Sequence, residues 1–195
     1  MSYSIDSLTE DCYAGSSVLI NKFDIQDQRI LDDVEAVIVT AQQEKWLAYP
    51  LANSFDFGHY KDIHKYLFDD LYAWAGKIRT VNISKKRTNF CPCDDITDRA
   101  DALFARLKGL NNLKYLDDGI FVEELVDFYI QTNYLHPFRE GNGRTQRVFI
   151  TQLVRNAGRE IDFSQMDTDL LMIATIQAAD GVRDNLRELF KEQII

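Results

Sequence analysis

The residues of this chain best suited to chemistry lie together between His136 and Arg147, in the run HPFREGNGRTQR. An imidazole, a carboxylate, a Gly-Asn-Gly turn and the arginines Arg144 and Arg147 share this short stretch. Pro137 biases His136 away from helical dihedrals, so a preceding helix should end there and leave the imidazole at a loop mouth. Gly141 and Gly143 permit positive φ and close backbone approach around Asn142. Successive N–H groups there can form a nest, and the N-terminus of a following helix adds the positive end of its dipole. Arg144 and Arg147 sit one helical turn apart, and guanidinium forks suit phosphate oxygens. Glu140 at the edge of such an anion site would be repelled by phosphates. A magnesium ion bridging carboxylate and phosphate resolves that conflict. His136 titrates in the range of a general base near neutral pH. The stretch therefore reads as a phosphate cradle with a metal ligand and a base, for transfer of a phosphate-containing group by positioning and charge stabilisation. Phe138 has a different task, as a core anchor for the loop.

The elements that must position this loop read as helices. Ile30, Leu31, Val34, Val37, Ile38 and Ala41 recur at spacings of three and four within 27–44, one face of an amphipathic helix, broken by Pro50 and Asn53. A second helix is expected over 60–74, with Ile63, Tyr66, Leu67, Leu71 and Trp74 in a stripe and Gly76 near its end. Helices follow over 97–110, 119–134, 142–157, 167–179 and 182–193, with Gly158 as the residue after the fifth. The stretch 77–95 alternates at first and fits a short β-hairpin better than a helix. The fold class is therefore mainly all-α, a helical bundle with one hairpin, in a single domain over 1–195.

Composition agrees. The chain has 195 residues, 46% hydrophobic and 12% aromatic, enough for a sizeable core. A formal net charge of -9 argues against a general nucleic-acid binder, yet clustered arginines can still take a nucleotide phosphate. No run is long and apolar enough for a membrane span, and the first residues do not read as a secretory signal. Three cysteines give no disulfide framework, so a cytoplasmic setting, or delivery into a host cell without a cleaved signal, is expected. Cys91 and Cys93 with His59 and His64 lack the paired C-x-x-C of a structural zinc site. Asp56-Phe57-Gly58 matches a kinase tripeptide without the rest of the kinase set, which makes it a chance match.

The loop itself resembles the signature of the Fic family, H-P-F-x-[D/E]-G-N-G-R-x-x-R, and matches it at every specified position. The run from Leu71 to Arg79 (LYAWAGKIR) also resembles the family segment before its hairpin. The resemblance covers about residues 20–190. It implies a Fic-type helical bundle and a protein adenylyltransferase. His136 would deprotonate a Tyr, Thr or Ser hydroxyl of a target protein, which attacks the α-phosphorus of ATP as pyrophosphate leaves. Glu140 would bind Mg2+. Gly141, Asn142 and Gly143 would form the anion hole, with Arg144 on the outer phosphates and Arg147 orienting the phosphate tail. The hairpin around 84–92, with Lys86, Thr88, Asn89 and Phe90, would be a flap that holds the target segment by strand pairing, although an ordinary edge hairpin with protective lysines reads the same way. Relatives that phosphorylate carry a lysine in the Gly-Asn-Gly turn, where this chain has Gly143. Relatives transferring UMP or phosphocholine are not separated by the loop.

Many family members are held inactive by a glutamate in the motif [S/T]-x-x-x-E-[G/N], which pairs with the second arginine, here Arg147. Thr40 to Glu44 comes nearest, but Lys45 departs from the pattern, and Leu31 stands where Glu35 would need a hydroxyl four residues earlier. Arg147 is therefore expected to lack such a partner in this chain, so that either a small antitoxin supplies the glutamate in trans or the protein escapes that control. Two function classes remain at this point: an AMP-transferring enzyme, with self-modification as a side reaction, and a catalytically silent relative that binds nucleotide or partners. Transfer of another phosphate-containing group is a variant of the first. The retention of both His136 and Glu140 favours the enzyme.

Overall fold

The structure is a computed structural model, describing residues 4–5, 11–49, 54–85 and 88–194. Among these residues seven helices occur: α1 (Gln28–Ala48), α2 (Phe57–Phe68), α3 (Ile96–Gly109), α4 (Asp118–Leu135), α5 (Asn142–Asn156), α6 (Thr168–Ala179) and α7 (Asp184–Gln193). The strands are short: β1 (Ser4–Ile5), β2 (Ile83–Lys85) and β3 (Thr88–Asn89), in an antiparallel sheet of order β1-β2-β3. The expected all-α bundle with a β-hairpin is thus present. Strand β1 is an addition, pairing Ser4 with Ser84 and Ile5 with Ile83, so that it lies along the β2 edge of the hairpin. Two residues cannot announce a strand by alternation, which is why β1 has no sequence signal.

Helix α5 is the centre. Val148, Phe149, Ile150, Leu153 and Val154 are at most 1% exposed. Phe149 packs its ring against Phe55, Tyr60, Phe104 and Phe128, which come from the segment before α2, from α2, α3 and α4. Aromatic edge-to-face and offset contacts of this kind add to the area they bury. Gly158, at φ 77, ends α5 as expected, and Arg159 N–H closes back on Val154 O.

Four helices start on an aspartate whose carboxylate takes first-turn N–H groups: Asp27 for α1, Asp56 for α2, Asp117 for α4 and Asp167 for α6. Asp56 of the kinase-like tripeptide is thereby explained as a cap. Helix α5 starts instead on Gly141, which brings no side chain to its N-terminus.

Two expectations need correction. On α1 the inward line is Leu31, Glu35 and Val39, whereas Ile30, Val37 and Ala41 are exposed and Val34 and Ile38 half-buried. The helix is rotated because a charged residue, Glu35, has a partner inside, and ion pairing outweighs the apolar count of the opposite face. Helix α2 ends at Phe68, not Trp74. Leu71 stays buried in the turns that follow, and Gly76 adopts φ 76 beneath Lys65. The breakers Pro50 and Asn53 lie outside the described residues.

Candidate active site

The loop between α4 and α5 carries the site. His136 ends α4 with φ 41, a left-handed conformation that costs a non-glycine residue about 1–3 kcal/mol and persists only when its surroundings over-determine it. Its N–H donates to Thr132 O at 3.2 Å, and ring Nδ1 lies 2.9 Å from Asn133 O. A carbonyl can only accept, so Nδ1 carries the hydrogen and Nε2 the lone pair. Phe90, following β3, stacks on the imidazole with centroids 3.7 Å apart. His136 is 6% exposed, and burial pushes its pKa down to about 3, with Arg79 adding in the same direction. The imidazole is therefore neutral across the physiological range.

Asn142 is spent on the loop, not on a ligand. Its Oδ1 accepts from Phe138 N–H and its Nδ2 donates to Phe138 O, both at 2.8 Å. Its expected place in an anion hole thus reduces to its backbone N–H. Bonding within α5 begins with Thr145 N–H to Gly141 O at 3.1 Å, so the N–H groups of Asn142, Gly143 and Arg144 have no helical acceptor. Those three, at the positive end of the dipole, are what an anion would meet. Gly141 adopts φ 78, and a Cβ there would fall 2.2 Å from Phe68. Its own N–H is taken by Glu140 Oε1 at 2.8 Å.

Glu140 is half-buried, its side chain 27% exposed, and the desolvation it does experience raises its pKa. Its carboxylate has Arg144 Nη2 at 3.5 Å. Among the described residues no group of three or more His, Cys, Asp or Glu side chains gathers to hold a metal. Cys91, Cys93, His59 and His64 accordingly form no such site. Arg144 Nη2 donates to Glu35 Oε1 at 2.6 Å, and its guanidinium lies over the Phe68 ring at 4.8 Å. Glu35 Oε2 accepts from the Tyr72 hydroxyl, so α1, α5 and the turn after α2 meet at one carboxylate. Arg147 forms no ion pair among the described residues. It lines a cavity of about 580 Å3 with Gln43, Leu47, Thr151 and Arg155. Glu44 is exposed near the end of α1.

His64 is a strut that sequence reasoning missed. Its Nδ1 accepts Gly76 N–H at 2.8 Å, so Nε2 carries the hydrogen and donates to Glu140 O at 3.0 Å. Phe138, fully buried, stacks on the His64 ring at 3.8 Å, which makes it the anchor expected of it. Of the residues expected to form the flap, Thr88 is half-buried, Asn89 exposed, and Phe90 stacks on the His136 ring. Lys86 lies outside the described residues.

Comparison with known proteins follows the same lines. The model of the Fic/DOC family matches residues 54–154. A probable protein adenylyltransferase, y4lH of Sinorhizobium fredii, is 36% identical, over 87% of this chain and 88% of its own. The protein adenylyltransferase VbhT of Bartonella schoenbuchensis is 35% identical over 92% of this chain, which spans 37% of that longer protein. Among solved structures, the BepC effector protein of Bartonella tribocorum with bound AMPPNP superposes with a TM-score of 0.88 at 27% identity, covering 95% of this chain and 96% of that one.

Proposed function

Because the chain belongs to the Fic/DOC family, we propose that it is a protein adenylyltransferase, moving AMP from ATP to a Tyr, Thr or Ser hydroxyl of a target protein. The observation that carries the reading is the pairing of a neutral, oriented base with an uncapped helix start: His136 has its lone pair on Nε2, and α5 begins with N–H groups that have no helical acceptor.

The chemistry follows from those two parts. The target hydroxyl gives its proton to His136 Nε2 as its oxygen bonds to the α-phosphorus, and the bond from that phosphorus to the leaving oxygen breaks to release pyrophosphate. A base whose pKa lies near 3 is weak, but the negative triphosphate beside it raises its pKa in the complex. The backbone N–H groups of Asn142, Gly143 and Arg144 and the Arg144 guanidinium meet the phosphate charge, with no reorganisation needed at the moment of transfer. Arg147 orients the phosphate tail. Magnesium fits the donor set: Glu140 supplies a half-buried carboxylate beside the start of α5, and this ion is commonly held by one or two carboxylates together with substrate phosphates and water. When bound through Glu140 it would neutralise phosphate charge. The hairpin around 84–92, with Lys86, Thr88, Asn89 and Phe90, holds the target segment. Because β1 lies along the β2 edge, the β3 edge is the one we assign to the target.

A small antitoxin that supplies a glutamate to Arg147 in trans belongs to the same reading, supported by the cavity that Arg147 lines and by its lack of an ion pair among the described residues. We place the protein in the cytoplasm, or delivered into a host cell. No helix among the described residues is long and apolar enough to cross a membrane.

Incubation with magnesium and ATP labelled at the α-phosphate, with and without cell lysate, tests the reading. Label on protein that disappears in His136→Ala is the expected result. Label arriving only from the γ-phosphate would mean phosphorylation, and none at all would leave a silent, nucleotide-binding relative.

A further inference from the structure

Arg79 is a buried cation at the junction of flap and loop, 4% exposed. Its Nε donates to His136 O at 2.8 Å, its Nη1 to Val81 O at 2.7 Å, and its Nη2 to Cys91 O. Val81 precedes β2 and Cys91 follows β3, so these carbonyls are the two feet of the hairpin. The third belongs to the residue that carries the base. We propose that Arg79 is a positioning residue whose guanidinium fork sets the catalytic imidazole and the target-docking flap against each other. The inference rests on the reading of His136 as the base.

Three observations support it. A planar fork reaches three divergent carbonyls at once, whereas the compact ammonium of lysine cannot satisfy them in that geometry. His136 sits at φ 41, and the Arg79 bond to its carbonyl is one of the constraints that hold it there. Phe90, one residue before Cys91, stacks on the imidazole, so moving the foot of β3 moves the ring that covers the base. The backbone N–H of Arg79 separately donates to Pro137 O at 2.9 Å, and Cys91 N–H donates to Tyr134 O at 2.9 Å. Neither bond uses the Arg79 side chain, so both remain available in Arg79→Lys. The chain path is therefore retained when the fork is lost, and what changes is the register between base and flap.

The test is Arg79→Lys, which keeps the charge and removes the fork. Two measurements are made. The first is NMR of the imidazole signals, assignable because the chain has 3 histidines. In the wild type the Phe90 ring, stacked on the imidazole, should shift the His136 protons upfield. In Arg79→Lys those shifts should collapse toward free-imidazole values while the core methyl signals hold. The second is transfer of label from α-labelled magnesium ATP to the protein itself and to lysate protein. It should fall at least tenfold, while the dissociation constant for non-hydrolysable ATP stays within about twofold. Unchanged His136 shifts together with unchanged transfer would overturn the proposal, and so would equal losses of nucleotide binding and transfer. If the wild type transfers no AMP, the functional reading fails, yet the imidazole shifts still decide the clamp. Should the variant not fold, hydrogen exchange of the wild-type Arg79 Nε–H replaces it: protection comparable to core amides is expected, and exchange as fast as free arginine refutes the clamp.

Discussion

Glu35 on α1 and Arg144 on α5 form a 2.6 Å charge-assisted hydrogen bond across 109 residues of sequence. The Tyr72 hydroxyl fixes the other carboxylate oxygen. A glutamate on a motif arginine invites two opposite expectations, a brake on the site or a brace for it. The anchoring by Tyr72 argues for the brace, because the carboxylate belongs to the scaffold and Arg147, the arginine next along α5, forms no ion pair among the described residues. Glu35→Gln should therefore lower AMP transfer, weaken ATP binding about tenfold, and cost about 2 kcal/mol of stability, less than the ~3–5 kcal/mol of a fully buried pair that loses one partner. ATP titration calorimetry and α-label transfer check this. A severalfold gain of self-labelling in Glu35→Gln would make the contact a brake instead.

Acid should unfold this protein from near neutrality downward. His64 and His136 are both pushed down to about 3, burial being the main cause in each. In the unfolded chain they take up protons near 6.5, so their contribution is full above that pH and is lost as pH falls toward 3. Each contributes a slope of up to ~1.4 kcal/mol per pH unit. Glu140 runs the other way: burial raises its pKa, so acid relieves a charge that the folded state holds at a cost. Two histidines outweigh one carboxyl, and the net slope is downhill. Urea midpoints should drop between pH 6.5 and 5, and His64→Gln should remove about one proton from the linkage. A midpoint independent of pH over that range would contradict the assigned burial of both rings.

Gly141 has no tolerance for a side chain. A Cβ would lie 2.2 Å from Phe68, and φ 78 disfavours any L-residue. Phe68 cannot yield, since it is fully buried, with His64 stacked on it and the Arg144 guanidinium over its ring. Gly141→Ala should cost about 2–4 kcal/mol from left-handed strain and overpacking together. Gly158→Ala, at φ 77 with open space around its Cβ, should cost only the strain part, about 1–2 kcal/mol. Chemical denaturation of the two variants side by side separates the terms, and equal losses would mean that Phe68 moves aside.

The candidate site was readable where its residues are contiguous in sequence. His136, Glu140, Gly141 and Arg144 announce themselves because they share one loop, and α5 because its buried residues recur at helical spacing. The supports were not readable, for a physical reason. Glu35 meets Arg144 at 109 residues' separation, His64 meets Glu140 at 76, and Arg79 meets His136 at 57. Two of these three contacts end on a backbone carbonyl, which every residue has, so nothing in the partner's identity betrays them. Glu35 alone left a trace: it is a charge on the i, i+4 line between Leu31 and Val39, which a purely apolar reading of α1 assigns to solvent.

Asn142 offers the sharpest test of how the loop is held. Phe138 presents an N–H to one side-chain atom and a carbonyl to the other, both at 2.8 Å, so the amide orientation is fixed by its partners. Asn142→Asp keeps the shape and the acceptor for Phe138 N–H but sets a carboxylate oxygen against Phe138 O. Two acceptors then face each other at a position 3% exposed, and a negative charge enters the N-terminus of α5 beside the proposed phosphate site. Removing a donor from a buried carbonyl costs about 1–3 kcal/mol, and the repulsion between the carboxylate and the carbonyl oxygen adds to it. Proximity to the helix dipole recovers only about 0.3–1 kcal/mol. The variant should lose about 2–3 kcal/mol and bind ATP at least a hundredfold more weakly at pH 7.5. Because protonation of the new carboxyl restores a donor, its stability deficit relative to wild type should shrink as the pH falls toward 5, opposite in sign to the histidine effect. Denaturation of both proteins across pH 5–8 measures this difference, and a deficit that stays constant or widens in acid would show that Asn142 does not brace Phe138 as described.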